Sequence, residues 1–332
     1  MSAGAGGTGS SAGSRSASPE YPAERDQTNI SVILPARNES RSVGVVLESL
    51  RETLPEAEII VVDDGSSDNT AQIARAAGAE VLQHPYSMGN GAAIKTGARH
   101  ARGGVLVLMD SDGQHDPEDV PRLVAKLEEG YDMAVGARRL DNHASLGRRL
   151  ANQSYNRLAS WMTGFRIDDL TSGFRAVRAR HFRRFLYLLP NGFSYPTTST
   201  MAFFRSGFPV AYVPIRAAQR SGKSHIRIFH DGTRFLVIIL KIGALFSPMR
   251  LFLPISAGLS VLGIGYYAFT YVTLGRFTNM SAVLFLSSLL IFLMGILSEQ
   301  VSSLHYRGMD DDLRRTRRES IGDGTGGPDP SP

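Results

Sequence analysis

Residues 105–114 read VLVLMDSDGQ, an unbroken run of five apolar residues followed by two carboxylates, a glycine and an amide. A short apolar run of this kind is typical of a strand buried on both faces of a sheet. In open α/β sheets, ligands bind beyond the carboxyl ends of the strands. Asp110, Asp112 and Gln114 follow the run directly, and their oxygen atoms are ligands that Mg²⁺ and Mn²⁺ prefer. The stretch therefore predicts a central strand and a divalent-cation site at its end.

The alternation of strand and helix patterns extends to both sides of this stretch, from Asn29 to about Ile228. It predicts an α/β fold with a largely parallel sheet that is covered by helices. The predicted strands are Ile30–Leu34, Glu58–Val62, Glu80–Gln83, Val105–Met109 and Met133–Val135, and the predicted helices include Ser42–Thr53, Thr70–Ala77 and Pro117–Glu129.

Polar residues follow the other predicted strands as well. Asp63 and Asp64 come after the second strand, and Gly65 lets the backbone turn close to a ligand. Such a pair fits the base and ribose hydroxyls of a nucleotide, and it fits equally well a polar turn that caps the helix beginning near Thr70.

Arginines cluster after the fifth strand, at Arg138-Arg139 and again at Arg148-Arg149. Guanidinium groups bind phosphate through paired donors, so two clusters near a cation site favour two phosphate-bearing substrates over solvated surface arginines. The segment Asp168–Arg175 adds acids and hydroxyls that suit a sugar, and Arg220–His225 adds a basic loop that suits a lipid head group.

Two long apolar stretches follow the α/β region. Leu251–Val272 holds 22 residues without a charge and Met280–Leu297 holds 18, each long enough to cross a hydrocarbon core of about 30 Å. The alternative is a pair of buried helices in a soluble domain. The short connection Thr273–Asn279 predicts a hairpin, and Pro254 is tolerated near the start of its first helix. The loop holds only Arg276 whereas the flanks are rich in Lys and Arg, which places the α/β domain and both termini in the cytoplasm.

The composition narrows the possible partners. The 332 residues carry a formal charge of +5, which fits an anionic substrate or membrane surface and equally well an ordinary solvated surface. We expect no nucleic-acid partner. The absence of cysteine excludes disulfides, zinc-thiolate sites and thiol nucleophiles. Glycines in the first apolar stretch, Gly258, Gly263 and Gly265, permit either a homo-oligomer through the hairpin or local packing.

Four of these segments together resemble glycosyltransferase family 2, in the branch of dolichyl-phosphate mannose synthases and polyprenyl-phosphate glycosyltransferases. The resemblance covers about 29–224 in order, and its motifs are Pro35–Glu39, Val61–Ser66, Asp110–Gln114 and Asp169–Arg175. It implies a Rossmann-like GT-A fold and a metal-dependent, inverting transfer of sugar from GDP-mannose or a UDP-hexose to a polyprenyl or dolichyl phosphate. The sequence departs from the family pattern at Gly222–His225, where relatives usually have Gly-x-Ser-Lys, and at Asn152, where mannose synthases commonly have Ser.

The resemblance also implies roles for single residues. Donor binding is assigned to Pro35, Arg37, Glu39, Asp63, Asp64 and Asp110; the Mg²⁺ or Mn²⁺ ion to Asp110, Asp112 and Gln114; the acceptor phosphate to Arg138, Arg148, Asn152 and Lys223; and catalysis to Asp112, Arg138 and Asp169. Alternatives are a family 2 enzyme with another acceptor, including a processive synthase, a membrane phosphotransferase or nucleotidyltransferase, and a non-catalytic scaffold.

The predicted organisation has five parts. They are a disordered Gly/Ser-rich tail over 1–28, a catalytic domain over 29–230, a juxtamembrane interfacial helix over 231–249, two transmembrane helices over 250–300 and a basic, then disordered tail over 301–332. The first tail has no apolar stretch of the length of a secretory signal, which agrees with a cytoplasmic catalytic domain.

Overall fold

The computed structural model describes residues 29–138, 146–192, 194–215, 243–244 and 246–322, with the side chains of 146–152 and 305–322 excepted. The predicted tail 1–28, most of the predicted interfacial helix 231–249 and the loop that contains Lys223 lie outside the described residues. The five-part division of the chain therefore stays a prediction.

A seven-stranded sheet forms the centre of the α/β domain, in the order β3-β2-β1-β4-β6-β5-β7. Neighbouring strands are parallel except that β6 runs antiparallel to both β4 and β5. The largely parallel sheet and its five predicted strands are confirmed, whereas β6 and β7 were not predicted. The strands are β1 (Ile30–Ala36), β2 (Glu58–Asp63), β3 (Glu80–Gln83), β4 (Val105–Leu108), β5 (Met133–Arg138), β6 (Arg175–Arg178) and β7 (Val210–Ile215).

Helices cover both faces of the sheet. The three predicted helices are present, although a separate 3-10 turn at Pro117–Asp119 precedes the third. The helices are α1 (Val43–Thr53), α2 (Thr70–Ala76), α3 (Asn90–His100), α4 (Val120–Glu128), α5 (Leu146–Thr163), α6 (Ala179–Arg184) and α7 (Tyr195–Arg205).

Two apolar cores follow from the side-chain alternation of the strands. Ile33 of β1 points into a core shared with α3, α5 and α7, whereas Val32 and Leu34 point into a core shared with α1, α2 and α4. All three of these side chains are fully buried. The central strands are apolar on both faces, which explains their unbroken apolar runs.

The antiparallel β6 has a consequence for function. The carboxyl ends of β1, β2, β4 and β5 share one edge of the sheet because these strands run the same way. Since β6 runs the opposite way, its amino end lies at that same edge. The segment Asp169–Phe174, which precedes β6, is thereby brought beside the acids that follow β4.

A hairpin of two helices, α8 (Pro248–Leu274) and α9 (Asn279–Gly322), follows the domain. The apolar parts, Pro248–Leu274 and Asn279–Leu304, have mean hydropathies of 1.5 and 2.5 and are only 11% and 17% buried. They are therefore long and apolar enough to cross a membrane and are not packed in a core. Pro254 lies inside α8, as expected.

Polar groups between the two apolar helices satisfy one another. Ser256 Oγ donates to the Ser288 carbonyl at 3.0 Å, Ser288 Oγ donates to the Ser256 carbonyl at 2.8 Å, and Ser260 Oγ lies 2.7 Å from Ser288 Oγ. Gly263 contributes to the same contact, because a Cβ there would lie 3.2 Å from the Phe285 ring. A Cβ at Gly258 or Gly265 would meet no described atom within 4 Å. Gly263 thus serves packing within one hairpin.

Candidate functional site

A cavity of about 410 Å³ opens at the carboxyl edge of the sheet. It gathers most of the residues that the sequence singled out after β1, β2 and β4. The lining consists of Pro35, Ala36, Arg37, Glu39, Asp64, Ser87, Gly89, Asn90, Asp110, Ser111, Asp112 and Gln114. Ser111 Oγ donates to the Pro35 carbonyl at 2.8 Å and so joins the ends of β1 and β4 beneath the cavity.

Part of the polar sequence after β1 and β2 joins these two turns to each other. Asn38, with φ 56°, accepts a hydrogen bond from the Ser67 amide at 2.8 Å, and its own amide donates to Ser66 Oγ at 2.9 Å. The Glu39 amide donates to Thr70 Oγ1 at 2.9 Å. These bonds hold Arg37 and Glu39 at the rim of the cavity.

Asp63 lies outside the cavity lining and is 2% exposed. Its carboxylate accepts hydrogen bonds from the Ser66 amide at 3.0 Å and from Gln83 Nε2 at 3.1 Å. This is the polar-turn arrangement that the sequence left open for the pair. The assignment of Asp63 to donor binding stays a prediction, and the contacts present are those of a turn.

Asp64 organises a segment that the sequence reasoning missed. Its Oδ1 accepts from His84 Nδ1 at 2.7 Å and from the Met88 amide at 2.8 Å, and its Oδ2 accepts from Ser87 Oγ at 2.8 Å and from the Gly89 amide at 2.9 Å. Burial alone would raise the pKa of Asp64, but these hydrogen bonds hold it below the ordinary value of an aspartate. The carboxylate therefore stays ionised at neutral pH and fixes residues 84–89 around itself.

Residues 87–91 carry this segment into the cavity and into α3. Gly89 has φ 103°, and a Cβ at Gly91 would lie 2.1 Å from the Pro190 carbonyl oxygen, so both positions require glycine. The Ala92 amide donates to the Asn191 carbonyl at 3.1 Å. The signal that could have revealed this wall was the pair of glycines flanking Asn90 just before a run of small residues.

His84 connects the Asp64 carboxylate to α3. Because that carboxylate is ionised, the short contact requires a proton on Nδ1, and Nε2 lies 2.9 Å from Thr96 Oγ1 in a second hydrogen bond. On the sequence prediction that the cavity binds a nucleotide, we expect His84→Ala to weaken binding of a nucleoside diphosphate by about tenfold, since hydrogen bonds to charged groups contribute about 1.5–3 kcal/mol. Calorimetric titration measures this affinity.

The matched control for that prediction is His100→Ala, on the last turn of α3. His100 pairs with Glu80 on the surface, away from the cavity. Equal affinities in the two variants would contradict the role given to His84.

Asp110, Asp112 and Gln114 lie on the turn after β4, with Gly113 at φ 74° between the last two. Asp112 Oδ1 accepts from the Gln114 amide at 3.1 Å, which fixes the turn. The Asp110 side chain is 35% exposed, and no described residue donates a hydrogen bond to its carboxylate within 3.5 Å. Two carboxylates and an amide at the cavity wall fit Mg²⁺ or Mn²⁺, which keep several positions for water or phosphate oxygens. Within the described part of the chain, no group of three or more His, Cys, Asp or Glu side chains converges.

His115 lies closer to this turn than the sequence indicated. The ring is buried, stacks on Phe174 with 5.0 Å between ring centroids, and places Nε2 3.8 Å from Asp110 Oδ2. No role was predicted for His115 from its position next to Gln114 in the sequence. Its packing instead makes it part of the wall behind Asp110.

Arg138 and Asp169 form a paired unit on the other side of Asp110. Arg138 Nε donates to Asp169 Oδ2 at 2.8 Å, and Nη2 donates to Asp169 Oδ1 at 3.1 Å and to Thr171 Oγ1 at 2.7 Å. The Thr171 and Ser172 amides also donate to Asp169 Oδ1. Burial would raise the pKa of Asp169, but the Arg138 guanidinium holds it below the ordinary value of an aspartate. For Arg138, burial would lower the pKa, but Asp169 raises it.

Gly173 brings this unit against the acidic turn. A Cβ at Gly173 would lie 3.1 Å from Asp110 Oδ2 and 3.2 Å from the Tyr195 hydroxyl. The fully buried Arg175 supports the same loop by donating to the Ser172 carbonyl and, from Nη1, to Ser199 Oγ at 2.8 Å. The predicted metal ligands and the predicted sugar-binding segment are therefore neighbours.

The predicted acceptor-binding residues are placed less completely. Arg148 and Asn152 lie on α5, but their side chains are outside the described residues. Lys223 and the departure at His225 lie wholly outside them. Arg138 is the one residue of that set whose side chain is described.

Comparisons with known proteins agree with this geometry. Residues 31–188 match the family model described as Glycosyl transferase family 2, and residues 247–304 match the GtrB C-terminal hairpin. The chain is similar to glucosyl-3-phosphoglycerate synthase of Mycobacterium tuberculosis in fold, with a TM-score of 0.55, 24% identity and coverage of 65% of this chain and 79% of that one.

Two curated relatives are similar in sequence. An undecaprenyl-phosphate 4-deoxy-4-formamido-L-arabinose transferase of Shewanella sediminis is 36% identical over 50% of this chain and 55% of its own. Glycosyltransferase AglJ of Haloferax volcanii is 26% identical over 84% of this chain and 96% of its own. The chain spans about half the length of the first of these relatives.

Proposed function

This chain is a member of glycosyltransferase family 2 through residues 31–188, and on that premise we propose that it transfers a sugar from a nucleotide-sugar donor to the phosphate of a polyprenyl lipid. The observation that carries the proposal is that one cavity is lined by Asp110, Asp112 and Gln114 together with Arg37 and Glu39. A carboxylate pair and an amide with room for a diphosphate suit a nucleotide-sugar better than a neutral sugar.

The donor occupies the part of the cavity between β1, α3 and the turn after β4. Arg37 and Glu39 bind at the nucleotide end, and the segment held by Asp64 forms the opposite wall. Asp110, Asp112 and Gln114 hold Mg²⁺ or Mn²⁺, which when bound neutralises charge that develops on the departing diphosphate. The all-oxygen set and the partly exposed Asp110 carboxylate fit such an ion.

The acceptor phosphate lies on the Arg138 side of the cavity. The described residues supply no hydrogen-bond acceptor for Arg138 Nη1, which leaves that group for a substrate phosphate. A phosphate monoester has a second pKa of about 6 and is largely dianionic at neutral pH, so it needs no strong general base. Its oxygen attacks the anomeric carbon, the bond from that carbon to the diphosphate oxygen breaks, and the nucleoside diphosphate leaves with the electron pair.

The transfer inverts the anomeric carbon without a covalent enzyme intermediate. Asp169, the acid nearest to the predicted sugar site, is 7% exposed, and its carboxylate accepts hydrogen bonds from Arg138, Thr171 and Ser172. A carboxylate with its lone pairs so occupied is a poor nucleophile. Its role is to hold Arg138 and the loop before β6.

A lipid acceptor agrees with the two apolar helices, which with the hairpin match make this an integral membrane protein. Arg276 is the only basic residue between the two apolar segments, whereas Lys241, Arg307 and Arg314 lie outside their other ends and Arg250 lies in the first turn of α8. By the positive-inside rule, this asymmetry supports an orientation with the catalytic domain and both termini in the cytoplasm.

The test uses purified protein in detergent with polyprenyl phosphate and a panel of UDP- and GDP-sugars labelled in the sugar, with and without Mn²⁺ or Mg²⁺. We expect the label to enter the organic phase only with metal present, together with release of nucleoside diphosphate. Transfer of a nucleotidyl or phosphoryl group instead would identify the phosphotransferase alternative. Absence of any transfer over the whole panel would contradict the proposal.

A further inference from the structure

The two apolar segments of the hairpin, Pro248–Leu274 and Asn279–Leu304, carry just two charged side chains, and both contact the catalytic domain. Between 248 and 274 the charged residue is Arg250, and between 279 and 304 it is Glu299. Charges in apolar helices are costly to place, and they are retained where they have a partner or a function. Their common location at one end of the hairpin indicates a shared structural purpose.

Arg250 attaches α8 to the end of α5. Its Nη1 donates to the Trp161 carbonyl at 2.7 Å and to the Met162 carbonyl at 3.1 Å. Ser247, which is buried, donates from Oγ to the same Met162 carbonyl at 3.0 Å. These donors satisfy carbonyls in the last turn of α5 that have no partner within the helix. The start of the hairpin is therefore tied to a defined end of a domain helix.

Glu299 attaches α9 to two further elements. Its Oε1 accepts from Arg205 Nη2, in the last turn of α7, at 2.8 Å. Its Oε2 lies 3.4 Å from the Met249 amide, in the first turn of α8, where a helix favours negative charge. One carboxylate thus joins the catalytic domain to both helices of the hairpin.

Both attachment points belong to helices that support the acceptor side of the cavity. Asn156 of α5 donates to the Asp168 carbonyl at 2.7 Å and accepts from the Leu170 amide at 3.2 Å, so α5 holds the loop that contains Asp169. In α7, Ser199 accepts from Arg175, which supports the same loop from below. The hairpin is connected through short, polar contacts to the segment that pairs with Arg138.

We propose that the Arg205–Glu299 and Arg250–Met162 contacts form a positioning joint, which sets the cavity at a fixed height and angle over the membrane. The joint rests on the proposed function, because it matters only for an acceptor whose phosphate is held at the bilayer surface. Arg205 and Glu299 are positioning residues, since neither lines the cavity. Loss of these contacts leaves donor binding intact. It misplaces Arg138 relative to the acceptor phosphate, whose depth is fixed by the bilayer.

The experiment compares two acceptors in the full-length protein. One is a long-chain polyprenyl phosphate in reconstituted vesicles, and the other is a short, water-soluble prenyl phosphate. For Glu299→Arg and for Arg205→Glu we expect kcat/KM for the embedded acceptor to fall about tenfold, as small misplacements of a reacting group do. The values for the soluble acceptor and the donor KM should stay within about twofold of wild type.

The exchanged pair R205E/E299R is the decisive variant. Because it restores opposite charges across the Arg205–Glu299 contact but not the acceptor for the Met249 amide, we expect it to recover part of the embedded-acceptor activity. Glu129→Arg is the matched control, since Glu129 pairs with Lys126 on the surface of α4, away from the hairpin. Melting temperatures of all variants show whether each is folded.

The outcomes separate the joint from the reaction. Equal losses with both acceptors, or a Glu299→Arg enzyme that matches Glu129→Arg with the embedded acceptor, would overturn the joint. An exchanged pair that is folded but no more active with the embedded acceptor than either single variant would also overturn it. A wild-type enzyme that uses neither acceptor would contradict the proposed function itself.

Discussion

Asp112→Ala is expected to abolish sugar transfer, with a loss of about 10³-fold or more in kcat, while the protein stays folded. Asp112 is one of two carboxylates on the turn after β4, and its other visible task is to accept the Gln114 amide at 3.1 Å. No third acid among the described residues converges on this turn. Removal of Asp112 therefore halves the negative charge available to a divalent ion, and a factor of 10³ corresponds to about 4 kcal/mol of transition-state stabilisation.

The measurements are initial rates at saturating donor and a calorimetric titration of Mn²⁺ into the same protein. Glu118→Ala is the matched control, because Glu118 is an exposed acid four residues beyond Gln114 and lies outside the cavity. We expect that control to keep wild-type rates and Mn²⁺ affinity. An Asp112→Ala enzyme that retains activity within tenfold of wild type would refute the metal site on this turn.

The sequence predicted the sheet well because its signal is local. Most of the predicted strands are apolar runs followed by polar residues, although Glu80–Gln83 is half polar, and all five are present. The strands β6 and β7 were not predicted. The boundaries differ by a few residues where pairing continues through residues that do not favour strands. In β1, for example, Pro35 and Ala36 remain paired with Val62 and Asp63 of β2.

The helices that were not predicted have patterns dominated by packing rather than by amphipathicity. In α3 the buried residues are mainly glycine and alanine, because the helix lies so close to the sheet that a Cβ at Gly97 would be 2.4 Å from Ile33 Cγ2. In α7 the hydroxyl groups of Thr198 and Thr200 are buried and donate to backbone carbonyls of their own helix. A buried face made of glycine, alanine and threonine gives a less apolar stripe in the sequence than a face of Leu, Ile or Val.

The candidate site was predictable as a set of positions but not as a set of contacts. Strand ends meet at one edge by topology, so the cavity could be assembled from the sequence. The partners of Asp64 lie 20–25 residues further along the chain, and Arg138 and Asp169 lie 31 residues apart. Nothing in the local pattern shows which acid binds a substrate and which holds a loop. That distinction came from hydrogen bonds and burial.

Arg138→Gln and Asp169→Asn are expected to lower kcat by similar factors, about 10²-fold each, because the two side chains act as one unit. Arg138 binds the acceptor phosphate only in the orientation that Asp169 gives it through bonds of 2.8 and 3.1 Å. The acceptor KM should rise in the Arg138 variant, whereas the donor KM should change little. Breaking this pair also lowers stability, because the Asp169 carboxylate is buried, so melting temperatures must accompany the rates.

The double variant Arg138→Gln/Asp169→Asn decides whether the pair is a unit. For residues that act together, losses are not additive. We therefore expect kcat of the double variant to lie within about threefold of kcat of either single variant. Arg166→Gln is the matched control, since Arg166 is exposed and pairs with Asp168 at 2.8 Å beside the same loop. Additive losses of about 10⁴-fold would mean that Asp169 contacts the substrate itself. Burial would raise the pKa of Asp169, but the Arg138 guanidinium and backbone amides keep it below the ordinary value of an aspartate. In that case the ionised Asp169 would stabilise positive charge on the sugar rather than act as a base.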